Sequence, residues 1–222
     1  MAMLSNLDLI RRVPLFSLLT NDQAQGIADS VVKRRFRRGE IVVEHGKKSN
    51  ALFILLTGRA RVLTADSRGR EVILAVLQPG DYVGEMSLID NEPHSATVRA
   101  EVQTDMLILG RAEFARCLPE NSSLSYAIMR GLVYRLRAAD RQIESLALLD
   151  VYGRVARMLL ELATEHEGKL MILEPLTQQD MASRVGCSRE MISRILKDLR
   201  AGGYVKMDGD RMVIAKKPPR NW

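Results

Sequence analysis

The sequence predicts an α+β chain in three parts: a jelly-roll-like β-roll, one long helix, and a winged helix-turn-helix. Three observations carry this. Gly39, Gly46, Gly58, Gly69 and Gly80 punctuate short apolar runs between Val31 and Leu109 at intervals of seven to twelve residues, the spacing of a barrel or roll and not of a solenoid. Met129, Leu132, Leu136, Ala139, Ile143 and Leu146 alternate three and four apart, a heptad seam on a helix. Leu176–Val205 holds two short helical patterns around Gly186-Cys187-Ser188, and two strand-length runs around an Asp-Gly pair follow. The expected parts are 1–121, 122–149 and 150–222.

Residues 4–30 read as a helical lead-in with Leu15, Phe16, Leu18, Leu19 and Ile27 as its packing positions. The strands of the roll include Ile41-Val42-Val43, Leu52–Leu56, Arg61–Thr64 and Val72–Leu77. A short helix at 111–118 leads into the long one, Ser122–Leu149, whose Arg135, Arg137, Asp140, Arg141 and Glu144 keep its other faces polar. Small Ala139 in mid-seam permits close approach, and the run is long for a domain of this size, so the seam predicts a homodimer. Asp150 caps a further helix over Val151–His166. Glu165–Lys169 is expected as a short loop and Pro218–Trp222 as a loose tail.

Composition narrows the class. A chain of 222 residues with 46% hydrophobic and 27% charged residues is ordinary for two modest globular domains. The strongest apolar run, Ala51–Leu56, is far short of the ~20 residues that span a bilayer. Asp8, Arg11 and Arg12 stand where a signal peptide would carry its apolar segment, so a cytoplasmic protein without membrane contact is expected. Cys117 and Cys187 have no second Cys or His at metal-ligand spacing, which predicts neither a metal site nor a disulfide.

The C-terminal third carries the chemistry. Thr177 caps the first short helix, with Asp180 three residues on. Ser188 caps the second, which stops at Gly202-Gly203. Ile192, Ile195, Leu196 and Leu199 make one apolar stripe, and Arg189, Glu190, Ser193, Arg194 and Lys197 fall opposite it. Tyr204–Met207 and Arg211–Ile214 flank Asp208-Gly209-Asp210 as a hairpin. Between Thr177 and Arg220 ten Lys/Arg face five Asp/Glu, a local +5 in a chain of net +6. A helix that buries one side and presents arginines on the other, in a basic region, points to double-stranded DNA as partner.

Gly84-Glu85-Met86-Ser87-Leu88, then Pro93-His94-Ser95-Ala96-Thr97-Val98, then Gly186-Cys187-Ser188-Arg189-Glu190 make the chain resemble the Crp–Fnr family of bacterial transcription regulators over nearly its full length. The resemblance implies a cyclic-nucleotide-binding roll, with a phosphate-binding cassette formed by the first two stretches, and the third as the DNA signature. It implies Arg189, Glu190 and Arg194 as base contacts in a TGTGA-like half-site. The chemistry agrees, since a guanidinium can donate twice to guanine O6/N7 and a carboxylate can accept from cytosine N4. Thr177, Gln179, Ser188 and Lys197 are expected as phosphate-contacting or capping groups, and RNA polymerase as a further partner. Met191 replaces a threonine usual in close relatives.

On the ligand side, Gly84 allows close backbone approach, Glu85 can accept from a ribose hydroxyl, and Met86 and Ser87 continue the cassette. Ser95 and the Ala96 amide can donate to phosphate. The chain departs from the cyclic-AMP pattern at His94, where that pattern has an arginine, and at Ala139 and Asp140, where it has hydroxyl residues that meet adenine. A carboxylate at 140 suits the N1–H and N2–H₂ donors of guanine. The effector therefore stays open between cyclic AMP and a guanine-containing nucleotide such as cyclic di-GMP. Two other readings remain, a nucleotide-acting enzyme and a ligand-independent regulator with a vestigial pocket. Against the first, the chain has no Walker lysine motif and no metal-ligand cluster at recognisable spacing.

Overall fold

A computed structural model describes residues 5–17, 19–67, 69–120, 122–166, 168–209 and 211–218, and the side chains at 116–120 and 122–123 are outside the description. The expectations for Leu18 and the Cys117 side chain lie outside the described residues. The chain forms two compact units, Met1–Asp66 with Ile73–Arg135, and Ser67–Val72 with Leu136–Trp222.

The first unit begins with α1 (Asn6–Arg12), a 3₁₀ turn (Pro14–Phe16) and α2 (Asn21–Ala28). Ser5 and Thr20 open the two helices with reciprocal capping boxes to Asp8 and Gln23. The strands follow as β1 (Val31–Phe36), β2 (Ile41–Val43), β3 (Ala51–Thr57), β4 (Ala60–Ala65), β5 (Glu71–Leu77), β6 (Tyr82–Val83), β7 (Thr97–Ala100) and β8 (Thr104–Gly110). Between β6 and β7 lies α3 (Glu85–Asp90); α4 (Arg111–Glu120) and the long α5 (Ser122–Leu148) come after β8. Two four-stranded sheets result, ordered β1-β8-β3-β6 and β2-β7-β4-β5.

The side-chain period of two explains why β3 is apolar from Ala51 to Leu56. Leu52 and Ile54 join the cluster under the helices, with Ile10, Phe16, Ile27, Phe114 and Ile128. Phe53 and Leu55 point the other way, into a core shared with Phe36, Val43, Val98 and Met106 from both sheets. The pattern repeats on β8, where Leu107 and Leu109 go to the helical side and Met106 and Ile108 to the sheet-sheet side. A strand buried on both faces has no polar positions to offer. The lead-in residues Leu15, Phe16, Leu19 and Ile27 are all buried, as expected.

The long helix has two unlike faces. Leu124, Ala127 and Ile128 are buried in the helical-side core, and Leu132 packs partly buried against it. Leu132, expected on the seam, thus packs against the core of its own unit as well. The reason is angular: it lies four and eight residues past Ile128 and Leu124, on the same side of a 3.6-residue helix. Its neighbour Val133 is exposed instead, with Met129, Leu136, Ile143 and Leu146; Ala139 is exposed too.

The second unit contains α6 (Val151–Leu162), β9 (Thr164–His166), β10 (Lys169–Ile172), α7 (Gln178–Val185), α8 (Arg189–Ala201), β11 (Val205–Asp208) and β12 (Arg211–Ile214). Asp150 caps α6 by accepting from the Gly153 amide at 2.7 Å. Two expectations are corrected here. The helix ends at Leu162, and β9 and β10 pair antiparallel, so Glu165, His166 and Lys169 lie in strands where a loop was expected at Glu165–Lys169. Pairing of β10 with β12 draws the segment into a sheet ordered β11-β12-β10-β9, a tertiary gain that helical periodicity does not register. Pro218, expected in a loose tail, is buried, and 219–222 lie outside the described residues. Among the described residues, no helix is long and apolar enough to cross a membrane.

Candidate functional site

Two sets of residues carry chemistry, one in each unit. In the second unit, Thr177 and Asp180 form a reciprocal capping box on α7, and the Thr177 hydroxyl donates to the Asp180 carboxylate at 2.7 Å. The helix closes at Gly186 with φ of 74°, a left-handed conformation that suits glycine. Ser188 then opens α8 by accepting from the Met191 amide at 3.2 Å. The hydroxyls of Thr177 and Ser188 therefore serve as caps, whereas Gln179 and Lys197 are exposed.

The apolar stripe of α8 is buried as its spacing demands: Ile192, Ile195, Leu196 and Leu199 are 4% exposed or less. They pack with Tyr152, Val155 and Leu159 of α6, Met181 and Val185 of α7, and Val205, Met212 and Ile214 of the hairpin. That core fixes the rotation of α8 about its axis and leaves Arg189, Glu190, Ser193, Arg194 and Lys197 exposed together on the opposite side. Met191 is half-buried against the same core. Cys187, in the turn, packs there also, and burial pushes its thiol above the ordinary range, as for a small structural hydrophobe. Ser188→Ala removes one cap and is expected to cost about 1 kcal/mol of stability, read as a lower melting temperature.

In the first unit the cassette is built around α3. Gly84 precedes it at φ 97°, and a Cβ there would lie 2.5 Å from the Ala51 carbonyl oxygen. Gly84→Ala thus meets both a left-handed backbone and a clash with β3. A loss of at least about 1–2 kcal/mol is expected from the backbone alone, with a lower urea midpoint as the readout.

Glu85 is the most buried charged group among the described residues, 1% exposed. Arg135 of α5 meets it, Nη1 to Oε1 at 2.6 Å, donates from Nη2 to the Tyr82 carbonyl, and lies 4.9 Å from the Tyr82 ring centroid. Burial raises the Glu85 carboxyl above its ordinary value, and the Arg135 charge and the Glu85 amide oppose that rise. Ser87 is buried and donates to the Glu92 carbonyl at 2.6 Å. Arg111 closes the other end of α3 by donating to the Ser87 and Leu88 carbonyls at 3.0 and 3.1 Å. Met86 is exposed.

His94 does not stand free. It is 8% exposed, its Nε2 lies 2.8 Å from Ser49 Oγ, and its amide donates to the Lys47 carbonyl at 2.9 Å. Burial pushes its imidazole below the ordinary value, which disfavours the charged form. Ser95 is exposed and Ala96 buried. Ala139 and Asp140, both exposed, belong to the second compact unit.

Arg135, Tyr82 and Arg111 are residues that sequence reasoning did not assign to the site. A signal for Arg135 was present: Gly131 sits one turn earlier on the same helical face, marking a close approach.

A model of the cyclic nucleotide-binding domain matches residues 33–121, and one of the Crp-like helix-turn-helix domain matches 153–220. The cAMP-activated global transcriptional regulator Vfr of Pseudomonas aeruginosa is 35% identical over 191 residues, 82% of this chain and 88% of that one. The cAMP-activated global transcriptional regulator CRP of Salmonella typhimurium is 31% identical over 179 residues, 78% and 84% of the two chains. Among solved structures, the c-di-GMP responsive global regulator CLP of Xanthomonas campestris superposes with a TM-score of 0.76 at 27% identity, covering 89% of this chain and all of that one. With a nucleotide-binding roll, a long helix and a winged helix-turn-helix in this order, the chain belongs to the Crp–Fnr family of DNA-binding transcription regulators.

Proposed function

We propose that the chain works as a homodimer that reads a TGTGA-like palindrome under the control of a cyclic nucleotide held in the roll. The observation that carries this is the face of α8, with Arg189, Glu190, Arg194 and Lys197 exposed together above a fully buried stripe. Arg189 and Arg194 donate to guanine, Glu190 accepts from cytosine, and Lys197 and Gln179 meet phosphates. The helix N-termini held by the Thr177 and Ser188 caps add amide dipoles toward the backbone.

The exposed stripe Met129, Val133, Leu136, Ile143 and Leu146, with small Ala139 between, supports pairing of the long helices of two copies. Two reading heads then address half-sites about one helical turn apart. The parts doing this work are the sensor at 1–121, the pairing helix at 122–149 and the reader at 150–222. A cytoplasmic setting and a contact with RNA polymerase belong to the same reading. The molecule acts by binding and not as an enzyme.

For the effector, Gly84, Ser95 and the Ala96 amide are the phosphate-facing groups. His94, bound to Ser49, and the hydroxyl-free Ala139 each depart in sequence from the cyclic-AMP pattern. A carboxylate at Asp140 favours a guanine-containing nucleotide, and CLP is c-di-GMP responsive, whereas Vfr and CRP are cAMP-activated. The deciding experiment is DNA binding to a TGTGA palindrome and to a scrambled duplex, each with cyclic AMP, cyclic GMP, cyclic di-GMP or nothing. Preference for the palindrome that one nucleotide alters tenfold or more is expected. Equal affinity for both duplexes would remove the reader, and indifference to all three nucleotides would remove the sensor.

A further inference from the structure

Gly131 stands in the interior of the 27-residue α5, where glycine is the poorest helix former after proline. Its surroundings account for it. A Cβ at this position would overlap the Tyr82 hydroxyl and come within 3.2 Å of the ring carbon that bears it. The same hydroxyl lies 3.4 Å from the Ile128 carbonyl oxygen, one turn earlier on the helix. That is long for a hydroxyl hydrogen bond, so the seat is chiefly steric. One turn later, Arg135 covers the Tyr82 ring and reaches both the Tyr82 carbonyl and Glu85. Tyr82 therefore touches three successive turns of α5, at Ile128, Gly131 and Arg135, and lies two residues before the Gly84–Glu85 start of the cassette.

We propose that Tyr82, seated in the notch left by Gly131 and covered by Arg135, is a positioning residue that holds the first half of α5 against the cassette and transmits changes there to the helix. A helix that carried alanine at 131 would keep its own hydrogen bonds and expel the tyrosine. Local helix propensity is thus given up for a tertiary contact, which is the pattern expected where a fold serves coupling. Transmission of a nucleotide signal rests on the gated reading proposed above, but the seat itself does not.

The test uses the full chain and the variants Gly131→Ala, Tyr82→Phe, Tyr82→Leu and the double variant Y82F/G131A. Amide hydrogen exchange over 127–135 is measured first, without nucleotide. Alanine for glycine ought to slow exchange if propensity alone mattered. Displacement of Tyr82 predicts the opposite, at least tenfold faster exchange in G131A, with Y82F/G131A returning to within threefold of the native chain. Tyr82→Leu, which keeps Gly131 but removes the ring beneath Arg135, also exchanges at least tenfold faster, and Tyr82→Phe changes little. Should G131A fail to fold, the Tyr82→Leu result decides. Native exchange in G131A or in Tyr82→Leu overturns the proposal.

The second readout is the ratio of DNA affinities with and without whichever of cyclic AMP or cyclic di-GMP binds the native chain. That ratio falls at least tenfold in G131A and recovers in the double variant; a native ratio in a G131A whose exchange is fast overturns the transmitting role. If neither nucleotide binds the native chain, the gated reading fails, while exchange still decides whether Tyr82 seats the helix.

Discussion

Replacing Arg189 or Arg194 with alanine is expected to lower affinity for a TGTGA palindrome by about 1–3 kcal/mol per half-site, roughly five- to hundred-and-fifty-fold for each, and to relax selectivity at one base position in each half-site. Both side chains are exposed on α8, so the fold has no use for them and the variants should melt like the native protein. The loss is large because a bidentate guanidinium–guanine pair is a charge-assisted contact read in a desolvated groove. Lys197→Ala serves as the contrast. It should weaken all sequences alike and flatten the salt dependence by about one unit of slope for each half-site, about two for the dimer. Binding isotherms against singly substituted half-sites at two salt concentrations separate the cases. A uniform loss from Arg189→Ala would move that residue to the phosphate class.

The second large effect falls on stability. Arg135→Ala leaves the Glu85 carboxylate in the protein interior without its cation. A loss of about 3 kcal/mol is expected, the low end for a broken buried pair, because Arg135 is 38% exposed and water can take part of its place. The loss should depend on pH with a definite sign. Burial already holds the Glu85 carboxyl above its unfolded value, and removing Arg135 removes the first of the influences opposing that rise. A folded value above the unfolded one means that the folded state takes up the proton first. Stability contributed by this group therefore falls as pH rises through the interval between the two values. The penalty of Arg135→Ala is then smallest in acid, where Glu85 is neutral, and reaches its full size near neutral pH. E85Q/R135A should recover most of it at pH 7, because an amide needs no counter-charge. Urea unfolding of the single and double variants from pH 4 to 8 measures this, and a penalty that grows toward acid would refute the assignment.

These two effects differ in how far the sequence reveals them. The reading face of α8 is legible because helical periodicity and capping are local: Ser188, the stripe Ile192, Ile195, Leu196 and Leu199, and the stop at Gly202 all lie within fifteen residues. The structure keeps every one of them. The Glu85–Arg135 pair joins residues fifty positions apart, and no local pattern marks it. Spacing placed Leu132 on the seam of the long helix, and it does not reveal that the same side chain also packs against the core of the roll. The strand at 164–166 was hidden for the same reason, since its pairing partner β10 is held in place by β12, some forty residues downstream.

The sequence by itself determined the order of the parts, the caps, the exposed polar face of α8 and the family, because each rests on contacts within a turn or two of chain or on a contiguous motif. Only the tertiary structure decided which groups of the cassette are free to meet a ligand. Burial turns His94 toward Ser49 and disfavours its charged form, and it draws Arg135 onto Glu85 and Tyr82 into the notch at Gly131. A buried charge must find a partner wherever the fold brings one near, and that choice is made in space, not along the chain.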